Sequence, residues 1–214
     1  MKNSLPVVVF SVCVLGPALA LAGSLEVTPY VGITSGSFWL DTGIACVQGP
    51  CPSYLESEDG TVLGLTIDYS VSPRVDFEVV VGRQESGLEY RQSLDSHARV
   101  NLPTVDLDIS HLEIGLRRRW ELGRTEPFAA FGVGISRLDS GPFVGTQIDS
   151  DRSSQSLAGG ARIELGERLG LRLELRGRRI DLPGGFHEVG SVAVNTVGGD
   201  LEQIQYLLGF SFKI

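Results

Sequence analysis

Chemistry in this chain would have to come from two nearby cysteines, three histidines, two acidic runs and a set of regularly spaced Arg and Glu residues. Cys46 and Cys51 enclose Val47-Gln48-Gly49-Pro50, a C-x4-C spacing beside a turn-forming Gly-Pro. The spacing predicts a disulfide that closes a small hairpin, and no histidine lies close enough in sequence to complete a metal centre there. His97, His111 and His187 are the only imidazoles. A hydrolase would pair His111 with Ser110, but the orienting third group that a nucleophile and base need is not spaced for it. His187 stands beside Glu188 in a glycine-rich stretch with no fixed geometry. Glu56, Glu58 and Asp59, and likewise Asp139, Asp149 and Asp151, lack the spacing of a calcium loop and read as solvated acidic connections. The expectation is no catalytic site, no bound metal and no cofactor.

The remaining charges follow a different rule. Glu78, Glu113, Arg117, Arg162, Glu164, Arg172, Glu174 and Arg176 alternate with apolar or small neighbours at a period of two, broken only at Arg118 beside Arg117, the signature of a β-strand with two unlike faces. The apolar partners run Leu25 to Ile33, Leu63 to Tyr69, Val75 to Val81, Leu112 to Trp120, Ala129 to Ile135, Leu157 to Leu165, Leu171 to Leu175 and Ile204 to Ile214. That makes eight strands. Their connections alternate in length without exception: long at 36–60, 84–105, 139–154 and 181–200, and short at 72–74, 121–126 and 166–168.

Composition narrows the class. Met1-Lys2, an apolar run from Leu5 to Leu15, and Ala20-Leu21-Ala22 predict a cleaved signal peptide over residues 1–22, leaving a single domain over 23–214. The formal net charge is −8, and losing Lys2 makes it more negative, which argues against nucleic acid as a partner. After the leader no apolar stretch is long enough for a spanning helix, so a membrane form would have to be a closed barrel. An eight-stranded barrel is just wide enough to be filled by side chains, and mixed Arg and Glu opposite Gly and Ala suit a salt-bridged filling. With that face inward, the apolar face meets lipid. Tyr69, Phe77, Trp120 and Phe212 lie on the apolar face near the short-turn ends, where a membrane-interface aromatic girdle belongs.

Several segments are similar to known sequences. Pro127-Phe128-Ala129-Ala130-Phe131-Gly132-Val133-Gly134-Ile135-Ser136-Arg137-Leu138 resembles the fifth strand of OmpA-like outer-membrane barrel domains, and Ser72-Pro73-Arg74-Val75-Asp76-Phe77-Glu78 resembles their first periplasmic turn. Leu171 to Arg176 and Tyr206 to Phe212 are in the same style. The resemblance implies insertion by the outer-membrane barrel assembly machinery, which reads the last strand, here Tyr206, Leu208, Phe210, Phe212 and Ile214. The sequence ends Lys213-Ile214 where that signal typically ends in an aromatic residue. No peptidoglycan-binding domain is expected after the barrel, so the cell-wall anchoring role of full-length OmpA proteins is not carried over.

The sequence thus predicts an all-β fold, an eight-stranded antiparallel up-and-down transmembrane β-barrel in the bacterial outer membrane. Termini and short turns would face the periplasm, and four long loops the exterior. Outer-membrane lipid, the assembly machinery and an extracellular partner would be its partners. The expected role is structural or in surface interaction. A narrow conduit for small solutes and a soluble periplasmic ligand-binding barrel are the alternatives.

Overall fold

The computed structural model describes residues 24–35, 59–93, 105–140, 149–182 and 199–214, together with short strand segments at 40–41, 45–46, 49–50, 53–57, 99–101, 185–189 and 192–196. The leader at 1–22 and the Cys46–Cys51 pairing lie outside the described residues.

Eight long strands follow one another around a closed ring: β1 (Leu25–Ser35), β2 (Gly60–Ser72), β3 (Val75–Ser93), β4 (Val105–Arg119), β5 (Thr125–Ser140), β6 (Asp149–Glu164), β7 (Leu169–Leu182) and β8 (Gly199–Lys213). Each pairs antiparallel with its sequence neighbours. Pairing of β1 with β8, from Glu26 opposite Lys213 to Ser35 opposite Ile204, closes the ring. Closure matters because an open edge would expose unpaired N–H and C=O groups, which hydrocarbon cannot solvate.

The short turns are built by local rules. At the β4–β5 turn, the Leu122 N–H donates to the Thr125 carbonyl at 2.9 Å and the Thr125 N–H returns a bond at 3.2 Å. Gly123 takes φ 66° there, which primed hairpin turns require and which side chains disfavour. The barrel's first and last described residues, Ser24 and Ile214, lie on the same rim as the three short turns, and the Ile214 N–H donates to the Leu25 carbonyl at 2.8 Å.

Alternation sorts the side chains cleanly. Leu63, Ile114, Phe131, Leu157, Leu173 and Phe210 point outward and are exposed. Glu78, Glu113, Arg162, Arg172 and Arg176 point inward and are buried. On β3 the outward apolar run Val75 to Val81, at ordinary strand rise and tilt, makes a band about 15 Å tall.

Beyond that band the strands continue, which corrects the sequence expectation of loops over 84–105 and 139–154. β3 reaches Ser93, β5 reaches Ser140, and β6 begins at Asp149. Here the outward face turns polar while the inward face mixes Gln84 with Ile109 and Leu138, so the period-two signal fades while backbone pairing persists. Arg83 and Asp108, an outward pair 3.0 Å apart, mark the transition. The connection at 181–200 holds its own hairpin, Gly185–Val189 paired with Val192–Thr196.

Candidate functional site

The inward face of β7 carries Arg172, Glu174, Arg176 and Arg178 at every second position, and this ladder organises the interior. Arg172 Nη2 donates to Glu78 Oε2 at 2.8 Å, and Arg176 Nη2 donates to Glu78 Oε1 at 2.7 Å. The same two arginines hold Glu174, with Arg172 Nε at 2.8 Å and Arg176 Nε at 2.6 Å. Two cations and two anions therefore alternate in a closed quartet, each carboxylate shared by both guanidinium groups. Because β3 and β7 lie four strands apart in a ring of eight, the quartet spans the barrel from wall to opposite wall.

Further pairs extend it in both directions. Toward the long-connection end, Glu113 accepts from Arg178 Nε at 2.7 Å, Arg176 Nη1 at 3.2 Å and Ser156 Oγ at 2.8 Å. Toward the turn rim, Asp68 accepts from Arg172 Nη1 at 2.8 Å and pairs with Arg117 Nη1 at 3.0 Å. Arg117 also reaches Asp76 at 3.0 Å. The Phe128 ring lies between two guanidinium groups, 4.5 Å from that of Arg172 and 5.5 Å from that of Arg117. Such rings attract cations through their negative faces. Arg162 donates to Ser211 Oγ at 2.9 Å, pairs with Glu26 at the same distance and contacts Glu126 at 3.3 Å.

Of the eight charges singled out from sequence, seven are buried in this network. Glu164 instead sits at the turn rim with its side chain 37% exposed, where Arg162 and Lys213 each lie 3.4 Å from it. Its inward position is the last one of β6, where the interior meets solvent. Sequence reasoning did not assign Glu26, Asp68, Asp76, Glu126, Phe128 and Arg178 to the network. All six share the inward parity of their strands, so the alternation already marked them. Tyr69, Phe77, Trp120 and Phe212 lie on the outer face at the turn rim, Tyr69 opposite Phe77 and Phe212 opposite Val27. Tyr206, Leu208, Phe210, Phe212 and Ile214 point outward along β8.

Tyr30, on β1, is an inward aromatic on the polar parity of its strand that sequence reasoning did not single out. Its hydroxyl lies 3.4 Å from His111 Nε2. Gly64 and Gly82 make room for the pair, because a Cβ at either would overlap the Tyr30 hydroxyl, and one at Gly82 would also overlap the His111 ring. Gly82→Val is therefore expected to lower the unfolding free energy by about 1–3 kcal/mol, measured by urea titration of the refolded barrel. Part of that loss should be recovered in a Tyr30→Ala background, which removes the hydroxyl overlap and gives the His111 ring room to shift. Ser110, next to His111 in sequence, points to the outer face, so the sheet separates its hydroxyl from that imidazole.

Little space is left. A cavity of about 10 Å³ lies beside Thr28, Tyr30, Arg172, Glu174 and Leu207, roughly enough for one water. Above the charges, toward the long connections, the inward side chains become apolar: Leu107, Ile109, Leu138, Ile180 and Leu201 are all buried. Leu138 faces Ile109 and Ile180 faces Leu201 across neighbouring strands.

A closed ring with an apolar outside and an ionic inside is the arrangement a lipid bilayer demands. A family model for the outer membrane protein beta-barrel domain matches residues 8–213. This chain belongs to the outer membrane protein β-barrel family. Among solved outer-membrane barrels, OprG from Pseudomonas aeruginosa superposes with a TM-score of 0.62 at 16% identity, covering 90% of this chain and 96% of that one. Neisserial surface protein A gives 0.51 at 10% identity, covering 90% and 97%. AlkL, determined in lipid bilayers, gives 0.51 at 18% identity, covering 89% and 90%. At these identities the likeness is one of fold. A comparison with curated protein sequences finds no match.

Proposed function

We propose that this outer-membrane barrel is a closed, non-conducting surface protein, a structural element that presents its four long connections to an extracellular partner. The observation that carries the reading is the β7 ladder. Arg172 and Arg176, clamped on Glu78 from the opposite wall, obstruct the axis at mid-height, and the apolar layer at Leu107, Ile109, Leu138, Ile180 and Leu201 supports closure above them. A continuous aqueous path would have to break several buried ion pairs, each break leaving an uncompensated charge.

The short turns and both ends of the barrel face the periplasm in this reading. The rim aromatics Tyr69, Phe77, Trp120 and Phe212 support it by forming a girdle where that rim would meet the inner interface. Export by the leader at 1–22, stiffening of the first loop by Cys46 and Cys51, and recognition of β8 by the barrel assembly machinery belong to the same proposal.

Single-channel recording in planar bilayers tests closure. The folded protein should give no steady unitary openings. Reproducible openings of one size would overturn closure and favour a narrow conduit for small solutes, the reading that the small interior residues Ala130, Gly132 and Gly134 on β5 would then serve.

A further inference from the structure

Each of the three short turns ends on an arginine immediately before the next strand: Arg74 before Val75, Arg124 before Thr125 and Arg168 before Leu169. All three are exposed. Backbone bonds fix where they stand. The Arg119 N–H donates to the Arg74 carbonyl at 3.0 Å, the Glu164 N–H to the Arg124 carbonyl at 2.8 Å, and the Lys213 N–H to the Arg168 carbonyl at 2.9 Å. The three arginines thus sit over β3/β4, β5/β6 and β7/β8, spread around the rim.

A fourth cation joins them from the wall itself. Arg118 occupies the outward stripe of β4 with Leu112, Ile114 and Leu116, at its turn-rim end. Its guanidinium carbon lies 5.6 Å from the centroid of the Trp120 ring.

Among the described residues none of these four arginines is ion-paired to a carboxylate, and the only polar side-chain contact among them runs from Arg124 Nη2 to the Glu164 backbone oxygen at 3.5 Å. The contrast with neighbouring cations is sharp. Arg119 and Lys213, on the same rim, both reach carboxylates, as do the interior arginines at 117, 162, 172, 176 and 178. Exposed apolar side chains, Val71, Leu122, Leu165 and Ile214, lie on the same rim. Among the described residues Glu121, Glu167 and the part-exposed Glu164, which Arg162 and Lys213 hold, are the opposing carboxylates of this rim, and the four cations outnumber them.

We propose that the turn rim is a docking surface for the headgroups of anionic phospholipids, with Arg74, Arg118, Arg124 and Arg168 receiving lipid phosphate. The proposal rests on the reading that this rim lies at a membrane interface. A ring of cations among apolar side chains matches the two halves of a lipid, with guanidinium forks for phosphate and apolar contacts for the upper acyl chain. Arg118 favours lipid over an acidic protein as the occupant. It belongs to the lipid-facing stripe, so a counter-charge must reach it along the wall.

The test uses the Trp39→Phe protein, in which Trp120 is the sole tryptophan, refolded into phosphatidylcholine vesicles. Part of the lipid carries bromine near the top of its chains, on either phosphatidylglycerol or phosphatidylcholine at equal mole fraction. Brominated phosphatidylglycerol should quench Trp120 with an apparent preference of about fivefold. The preference should disappear when the four arginines become glutamine, while heat-modifiable migration shows that the variant still folds. Equal quenching by both lipids, or a preference that survives the four substitutions, overturns the proposal and leaves the rim at the interface. Equal quenching with a Trp120 emission shift on adding soluble polyglutamate would assign the arginines to an acidic protein and likewise overturn it. No quenching by either lipid overturns the placement of the rim and the proposal together.

Discussion

Arg176→Met should destabilise the folded barrel by about 3–5 kcal/mol, the usual cost of breaking one side of a buried ion pair. Arg176 touches three buried carboxylates, Glu78, Glu113 and Glu174, at 2.7, 3.2 and 2.6 Å. Methionine keeps much of the volume but removes the charge that all three share. All three carboxylates are almost fully buried, so bulk water does not screen the penalty. Equilibrium urea unfolding in vesicles, read by Trp fluorescence, measures the loss. Adding Glu174→Gln should recover part of it, because that removes one of the stranded anions. A loss below about 1 kcal/mol, the range of exposed salt bridges, would mean that the ladder is hydrated and not a sealed plug.

Ile114→Arg should cost about 2–4 kcal/mol, the range for a cation placed at the middle of a lipid-facing wall. Ile114 is half exposed at 50%, and its cross-strand neighbours Val79 and Val133 are apolar too. On a soluble protein such a substitution would be almost free, since it removes an apolar side chain from water. Ser110→Glu is the internal control, a charge placed between Arg83 and Arg137, which stand directly opposite this position on the two neighbouring strands. It lies on the same face of the same strand, beyond the apolar band, and the same urea titration should find a change within about 0.5 kcal/mol. Equal small effects at both positions would place the Ile114 face in water.

Which parts of this were legible in the sequence follows from the physics of alternation. Leu171-Arg172-Leu173-Glu174-Leu175-Arg176 shows a strand with two unlike faces to anyone counting by twos, and the long–short rhythm of connections orders eight such strands into a meander. What stayed hidden is who meets whom across the barrel. Glu78 and Arg176 are 98 positions apart, and their meeting depends on strand stagger, which no local pattern encodes. Tyr30 shares the polar parity of Glu26, Thr28 and Thr34, so its inward direction was legible, but its partner His111, 81 positions away, was not. The strand extensions beyond Val81 and Ile135 were obscured for another reason. Beyond the apolar band the outward face carries Arg83, Glu85 and Asp108 while the buried inward face mixes Gln84 with Ile109, so the contrast between the two faces is lost. The apolar interior layer at Ile109, Ile180 and Leu201 escaped for a third reason: inside a barrel it breaks the charged stripe that the other inward positions establish.

The central claim, that the apolar face meets lipid while the charged face fills a sealed interior, is tested most directly by a spin label at Leu157. This residue is 68% exposed at the wall. The label would replace Leu157 in a variant lacking Cys46 and Cys51, refolded into vesicles, with its relaxation measured against oxygen and a water-soluble nickel chelate. Relaxation dominated by oxygen, with little effect of the chelate, is the predicted result. Relaxation dominated by the chelate would put that wall in water and contradict the account.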